Sequence, residues 1–148
     1  MFKIADIFTG RYKLIRFFSK FHLFVLKNFN NKYLNNLLGI PVLVLITIGR
    51  KSKLKRFAPL VYFDIDKSYI IVASNGGNPN DPNWFKNLMC KDTVTINISG
   101  KEFECSYEIL KNNYRKKIWS EIIKIYPKYT EYQKLSKRII PVIKLIKI

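Results

Sequence analysis

Val42-Leu43-Val44-Leu45-Ile46-Thr47-Ile48-Gly49-Arg50-Lys51-Ser52-Lys53-Leu54-Lys55-Arg56-Phe57-Ala58-Pro59-Leu60-Val61-Tyr62-Phe63 is the stretch whose reading decides the fold. Two apolar segments, Val42 to Ile48 and Phe57 to Phe63, enclose a short cationic bend. That is the pattern of strand, turn, strand. Gly49 lets the chain bend and lets its backbone come close to a partner. Arg50, Lys51, Lys53, Lys55 and Arg56 surround the bend with charge and donors, and Ser52 adds a hydroxyl. Such a turn suits a phosphate or a carboxylate. It equally suits a solvated basic hairpin or a nucleic-acid patch. Taken alone, the stretch leaves these readings open.

The rest of the composition narrows them. A chain of 148 residues is most simply one domain with its own core. Its 48% hydrophobic content argues against disorder, and its net charge of +17 calls for an anionic partner. That partner could be nucleic acid, an anionic membrane surface or a polyanionic small molecule. The single histidine, His22, argues against a His/Cys zinc site and against a histidine-based hydrolase, so no metal site is expected. Cys90 and Cys105 form no CxxC and fit a reducing compartment. No apolar run reaches the roughly 18–20 residues needed to span a bilayer, and no signal-peptide cleavage pattern is visible. The expected location is the cytoplasm, with peripheral contact at the inner face of the membrane as an option.

That option comes from the N-terminus. Residues 1–39 read as an amphipathic helical segment set before the domain at 40–148. Between residues 11 and 29, Lys13, Arg16, Lys20 and Lys27 fall on one stripe, opposite Leu14, Phe18, Phe21, Val25 and Phe29. Such a helix either lies in a membrane interface or covers the domain's sheet.

After Pro41, the strands Val42 to Ile48, Phe57 to Phe63 and Tyr69 to Ser74 follow with no helix between them, so the sheet should be antiparallel. Asp81 and Pro82 read as the N-cap and first residue of a helix carrying Trp84, Phe85, Leu88 and Met89. A hairpin pairs Thr93–Ser99 with Glu102–Leu110 around Gly100-Lys101. In the helix expected at 111–126, Tyr114, Ile118, Ile122 and Tyr126 share one apolar face. A short helix from Tyr129 to about Lys137 and a closing strand from Pro141 to Ile146 complete the chain. The expected fold is α+β: a five- or six-stranded split antiparallel β-barrel with packed helices and the N-terminal amphipathic helix.

Three segments in order, the cationic turn, Ala73-Ser74-Asn75-Gly76-Gly77 and Tyr126-Pro127-Lys128-Tyr129-Thr130-Glu131-Tyr132-Gln133, carry a family resemblance. With Trp84 and Asn87-Leu88 between them and Arg138-Ile139-Ile140-Pro141-Val142 after them, they resemble the deazaflavin-dependent nitroreductase family. That family binds coenzyme F420 on a split barrel related to the FMN-binding flavoprotein fold. The resemblance runs from about Ile40 to the C-terminus.

The resemblance implies that Gly49, Arg50, Lys51, Ser52 and Arg56 hold the phosphodiester and acidic tail of coenzyme F420. Pro59 and Leu60 would pass the cofactor, Ser74, Asn75, Gly76 and Gly77 would line its ring, and Asn87 would lie near it. Ser74, Tyr126, Tyr129 and Tyr132 are the candidate catalytic residues, relaying a proton or orienting an electron-poor small-molecule acceptor such as a quinone or a nitro compound. An ordinary tyrosine, with a pKa near 10, suits hydrogen bonding better than proton release. The chain departs from the family pattern inside the turn, where glycine and proline are usual and this chain has Lys53, and Lys55 next to Arg56, at Ala58 before Pro-Leu, and at Val61, where some members carry an aromatic residue. Related barrels pair through the sheet, which makes a homodimer an option. The rival readings are an FMN- or haem-type binder on the same fold and a non-catalytic F420 or lipid binder. A nucleic-acid binder is disfavoured because the aromatics fall on core faces.

Overall fold

Alternation along the strands builds a barrel with two cores, one inside and one outside. The computed structural model describes residues 39–148. The segment 1–39 and its amphipathic helix lie outside the described residues, apart from Gly39. The strands are β1 (Val42–Ile48), β2 (Lys55–Ile65), β3 (Ser68–Val72), β4 (Thr93–Ile98), β5 (Lys101–Ile109) and β6 (Val142–Lys147). The helices are α1 (Asn83–Leu88), α2 (Asn112–Ile125) and α3 (Lys128–Ser136). The barrel closes in the order β1-β2-β3-β6-β5-β4, with every neighbouring pair antiparallel.

Leu43 and Leu45 of β1, Ile71 of β3, Val94 and Ile96 of β4, and Ile143 and Leu145 of β6 point inward. Phe85 and Leu88 of α1 cap that interior. The opposite faces of β2, β3 and β6 supply Phe63, Ile70, Val72 and Val142 to a second core. Ile118 and Ile122 of α2 and Tyr129 and Tyr132 of α3 cover it. Strand β3 is therefore buried on both sides, which is why it reads as a continuous apolar run. The apolar face expected on the 111–126 helix is the face that packs.

Pro59 sits in mid-strand without cost. Tyr62 N–H donates to the Pro41 carbonyl at 3.1 Å, so the β1 register turns the hydrogen-bonding groups of residues 60, 58 and 56 toward β1 and those of Pro59 away. On that other side β3 pairs with β2 only from Tyr62 to Ile65. Past Ile71 the pairing with β2 ends, and past Val72 the strand itself ends, at the level where Ala73 and Ser74 would have faced Leu60 and Pro59. The cationic turn, Pro59-Leu60 and the 73–77 loop thus share one end of the barrel.

One expectation is corrected. Asp81 does not cap α1. The N-cap position is Pro82, with no side-chain cap bond, and the Asp81 carboxylate lies instead 2.9 Å from Arg138 Nη1.

Candidate cofactor site

The turn is closed by its own backbone: Gly49 N–H donates to the Leu54 carbonyl and Lys53 N–H to the Gly49 carbonyl, both at 2.8 Å. Lys53 takes a left-handed conformation, with φ of 58°. A Cβ on Gly49 would stand 2.4 Å from Ser52 Oγ and 3.4 Å from Arg56 Nε, so a side chain here would displace the Ser52 hydroxyl from its bond to Arg56. Arg56 Nη2 donates to Ser52 Oγ at 3.0 Å.

Arg50 is fixed on α1. Its backbone N–H donates to Asn87 Oδ1 at 3.1 Å, and Nη1 donates to the same oxygen at 3.2 Å. Nη1 and Nη2 also reach Asn83 Oδ1 at 3.4 and 3.3 Å. Asn87, 5% exposed, donates in turn to the buried Thr47 hydroxyl at 3.5 Å. All these acceptors are neutral. No described carboxylate forms an ion pair with Arg50, Lys51, Lys53, Lys55 or Arg56. The turn keeps its charge while holding its shape, which suits a phosphodiester and an acidic chain.

The second element is the loop after β3. Asn75, Gly76 and Gly77 are successively left-handed, with φ of 51°, 61° and 82°. Gly77 N–H donates to the Ser74 carbonyl at 3.0 Å, and Asn75 Nδ2 to the Asn80 carbonyl at 3.0 Å. A Cβ on Gly77 would stand 2.9 Å from Leu135 Cβ and 3.2 Å from Tyr132 Cα, so this glycine lets α3 pack on the loop. Arg138 grips the same loop through three carbonyls and Asp81. Burial pulls its pKa below the usual arginine range, and Asp81 opposes that pull.

The tyrosines stand at the end of α2 and on α3, and the backbone of Tyr132 adjoins Gly77 of the loop. Tyr126, Tyr129 and Tyr132 pack in a row on the outer core, with ring centroids 5.2 and 5.8 Å apart. Tyr129 also meets Phe63 at 6.0 Å and Trp119 at 6.2 Å. It is 6% exposed and Tyr132 is 7% exposed. Burial, then Tyr126 and Tyr132, push the Tyr129 hydroxyl far above the ordinary tyrosine range. Tyr126 is half-buried at the end of α2. Ser74, half-buried, stands at the start of the loop, and its side chain makes no cap bond.

Sequence reasoning missed Asn83 and Thr47, which fix the turn, and Arg138, Asp81 and Gln133, which fix the loop. Asn83 and Thr47 meet Arg50 and Asn87 across 33 and 40 residues and Arg138 meets Ala73 across 65, whereas Gln133 acts locally, through Arg138 and Ile140. A cavity of about 220 Å³ lies beside the turn, lined by Thr47, Lys55, Asn87 and Lys91 among others. It falls below the roughly 300–1,000 Å³ of typical small-molecule sites.

Fold and site define an α+β split-barrel protein with a cationic turn that no described carboxylate neutralises. A haem storage protein from Vibrio cholerae shares the fold alone, with a TM-score of 0.54 and 10% identity over 83% of this chain and 87% of that one. A solved F420-H2-dependent reductase (FDR-A) is nearer in sequence, with a TM-score of 0.63 and 33% identity over 71% of this chain and 93% of that one. An F420H(2)-dependent quinone reductase of Mycobacterium tuberculosis is 34% identical over 109 residues, covering 71% of this chain and 72% of that protein. Residues 19–147 match the F420H(2)-dependent quinone reductase family, and the chain belongs to that family. It is thus an oxidoreductase whose cofactor is coenzyme F420. The resemblance to deazaflavin-dependent nitroreductases holds at the level of F420-dependent reductases.

Proposed function

We propose that Gly49, Arg50, Lys51, Ser52 and Arg56 hold the phosphodiester and acidic tail of coenzyme F420, and that Pro59, Leu60, Ser74, Asn75, Gly76 and Gly77 border its ring. The observation that carries this assignment is the turn itself: an arginine oriented by Asn83 and Asn87, among cations that no described carboxylate neutralises. Reduced coenzyme F420 supplies the hydride. The chain's part is to hold the ring between Pro59-Leu60 and the glycine loop, and to orient a quinone against it. Nitro compounds form a second acceptor class. The proton that completes reduction arrives through Ser74, Tyr126 or water, because Tyr129 is too deeply packed to release one. Asn87 acts through Arg50.

Fluorescence titration of the purified protein with coenzyme F420 and with FMN tests the assignment. Tight F420 binding with no FMN binding supports it; FMN copurifying as a yellow chromophore sinks it. Two further features extend the proposal. A chain 28% identical, with a TM-score of 0.65 over 91% of this chain and 95% of that one, is described as a domain-swapped dimer, which favours a homodimer testable by light scattering. The net charge of +17 and the pattern at residues 11–29 favour attachment to an anionic membrane surface. Flotation with anionic liposomes at low salt tests that, and a protein left at the bottom of the gradient ends the idea.

A further inference from the structure

Arg138 lies in the connector between α3 and β6, far in sequence from the loop it holds. Its Nη2 donates to the carbonyls of Ala73 at 2.8 Å and Ser74 at 3.3 Å, and its Nε donates to the carbonyl of Asn78 at 3.2 Å. Its Nη1 stands 2.9 Å from Asp81 Oδ1, a contact held by charge and not by a well-aligned hydrogen bond. One guanidinium therefore ties both ends of the left-handed run Asn75–Gly77, where backbone shape is otherwise least determined.

The arginine is itself fixed in place. Ser136 Oγ donates to the Arg138 carbonyl at 3.1 Å, and Gln133 Nε2 donates to the same oxygen. Gln133 Oε1 accepts from Ile140 N–H at 3.1 Å, and Lys137 turns the chain with φ of 57°. Asp81 matches its charge, so Arg138 is not a second anion site. A guanidinium spreads five donors over a rigid plane, whereas a lysine gathers three on one atom at the end of a flexible stem.

We propose that Arg138 is a positioning residue for the hydride-transfer reaction: it sets the backbone of Ser74–Gly77 against the deazaflavin ring and leaves the anionic end of the cofactor to the basic turn. The inference rests on the placement of the ring proposed above. It predicts a separation that a general loss of stability would not produce, because ring and tail are held by different arginines.

The test uses two ligands, coenzyme F420 and the deazaflavin riboside that lacks the phosphodiester and the glutamyl tail. Arg138→Lys weakens both by the same factor, about tenfold for one to two lost hydrogen bonds, and alters the absorbance band of the bound ring. Arg50→Ala weakens F420 alone. Should Arg138→Lys fail to fold, Asp81→Asn carries the test, with a smaller parallel loss for both ligands. Unchanged riboside affinity in the folded variant overturns the role of Arg138. Asn75→Pro, which cannot adopt the left-handed φ of 51°, separates the two levels of the argument. If it weakens the riboside and Arg138→Lys does not, only Arg138 is wrongly assigned. If neither changes riboside binding, the ring does not lie on this loop, and both readings fall.

Discussion

The turn at Gly49–Arg56 and the loop at Ala73–Asp81 each depend on an arginine, and the two arginines are held in opposite electrical states. Arg50 is oriented by the amide oxygens of Asn83 and Asn87 and keeps its charge for a partner. Arg138 faces Asp81 and three backbone carbonyls, so its charge is matched within the protein. Neutral acceptors orient a guanidinium without cancelling its field; a carboxylate partner cancels it. The first arrangement makes an anion site and the second makes a scaffold. A count of basic residues cannot tell them apart.

The largest effect should come from the turn. Arg50→Ala combined with Lys51→Ala is expected to lower F420 affinity by about a hundredfold or more, from two lost charge-assisted bonds. The melting temperature should hardly move, because the turn closes through its backbone. Fluorescence titration and a thermal melt check both halves, and unchanged affinity would break the comparison at its first term. The loop should respond the other way. Gly77→Ala meets a positive φ of 82° and the backbone of Tyr132, and should cost roughly 2–4 kcal/mol of stability in denaturant titration. A melt equal to wild type would show that α3 does not rest on this glycine.

Smaller effects sharpen the picture. Lys53 occupies a left-handed position, φ 58°, inside the turn where the family pattern usually has glycine and proline. Lys53→Gly should relieve backbone strain and stabilise the protein by roughly 0.5–1 kcal/mol, net of the extra freedom of the unfolded chain. A destabilised variant would mean that the lysine side chain contributes to the turn. The smallest effect is reserved for Tyr129→Phe. A hydroxyl locked protonated in the outer core should not appear in the pH–rate profile, so kcat should stay within about twofold at every pH, less than general acid catalysis contributes. A tenfold fall would return Tyr129 to the chemistry.

Much of this was legible before the fold was seen. The β1 bounds, Val42–Ile48, agree with the apolar run that announced them, and β2 extends past its expected start because Lys55 and Arg56 pair with Ile48 and Thr47, and past its expected end because Asp64 and Ile65 pair with Tyr69 and Ser68. Strand β3 stops at Val72, short of Ser74, because Arg138 draws the carbonyls of Ala73 and Ser74 into the loop. Asp81 before Pro82 has the local chemistry of a helix cap, yet a guanidinium from the far end of the chain takes its carboxylate. The tyrosines recur every third residue and do share a surface. Periodicity gives a common face; it does not say whether that face meets a ligand or the core.

What the sequence determined by itself is what short-range physics controls: alternating apolar strands, the antiparallel order, a glycine-closed cationic turn, and the ordered motifs that mark an F420-dependent reductase. What only the tertiary structure decided is where each long side chain ends. Whether the charge of an arginine stays open, as at Arg50, or is matched, as at Arg138 by Asp81, and what a tyrosine meets, depends on partners brought together by barrel closure. Those partners are separated along the chain by tens of residues, so no local pattern of residues could encode them.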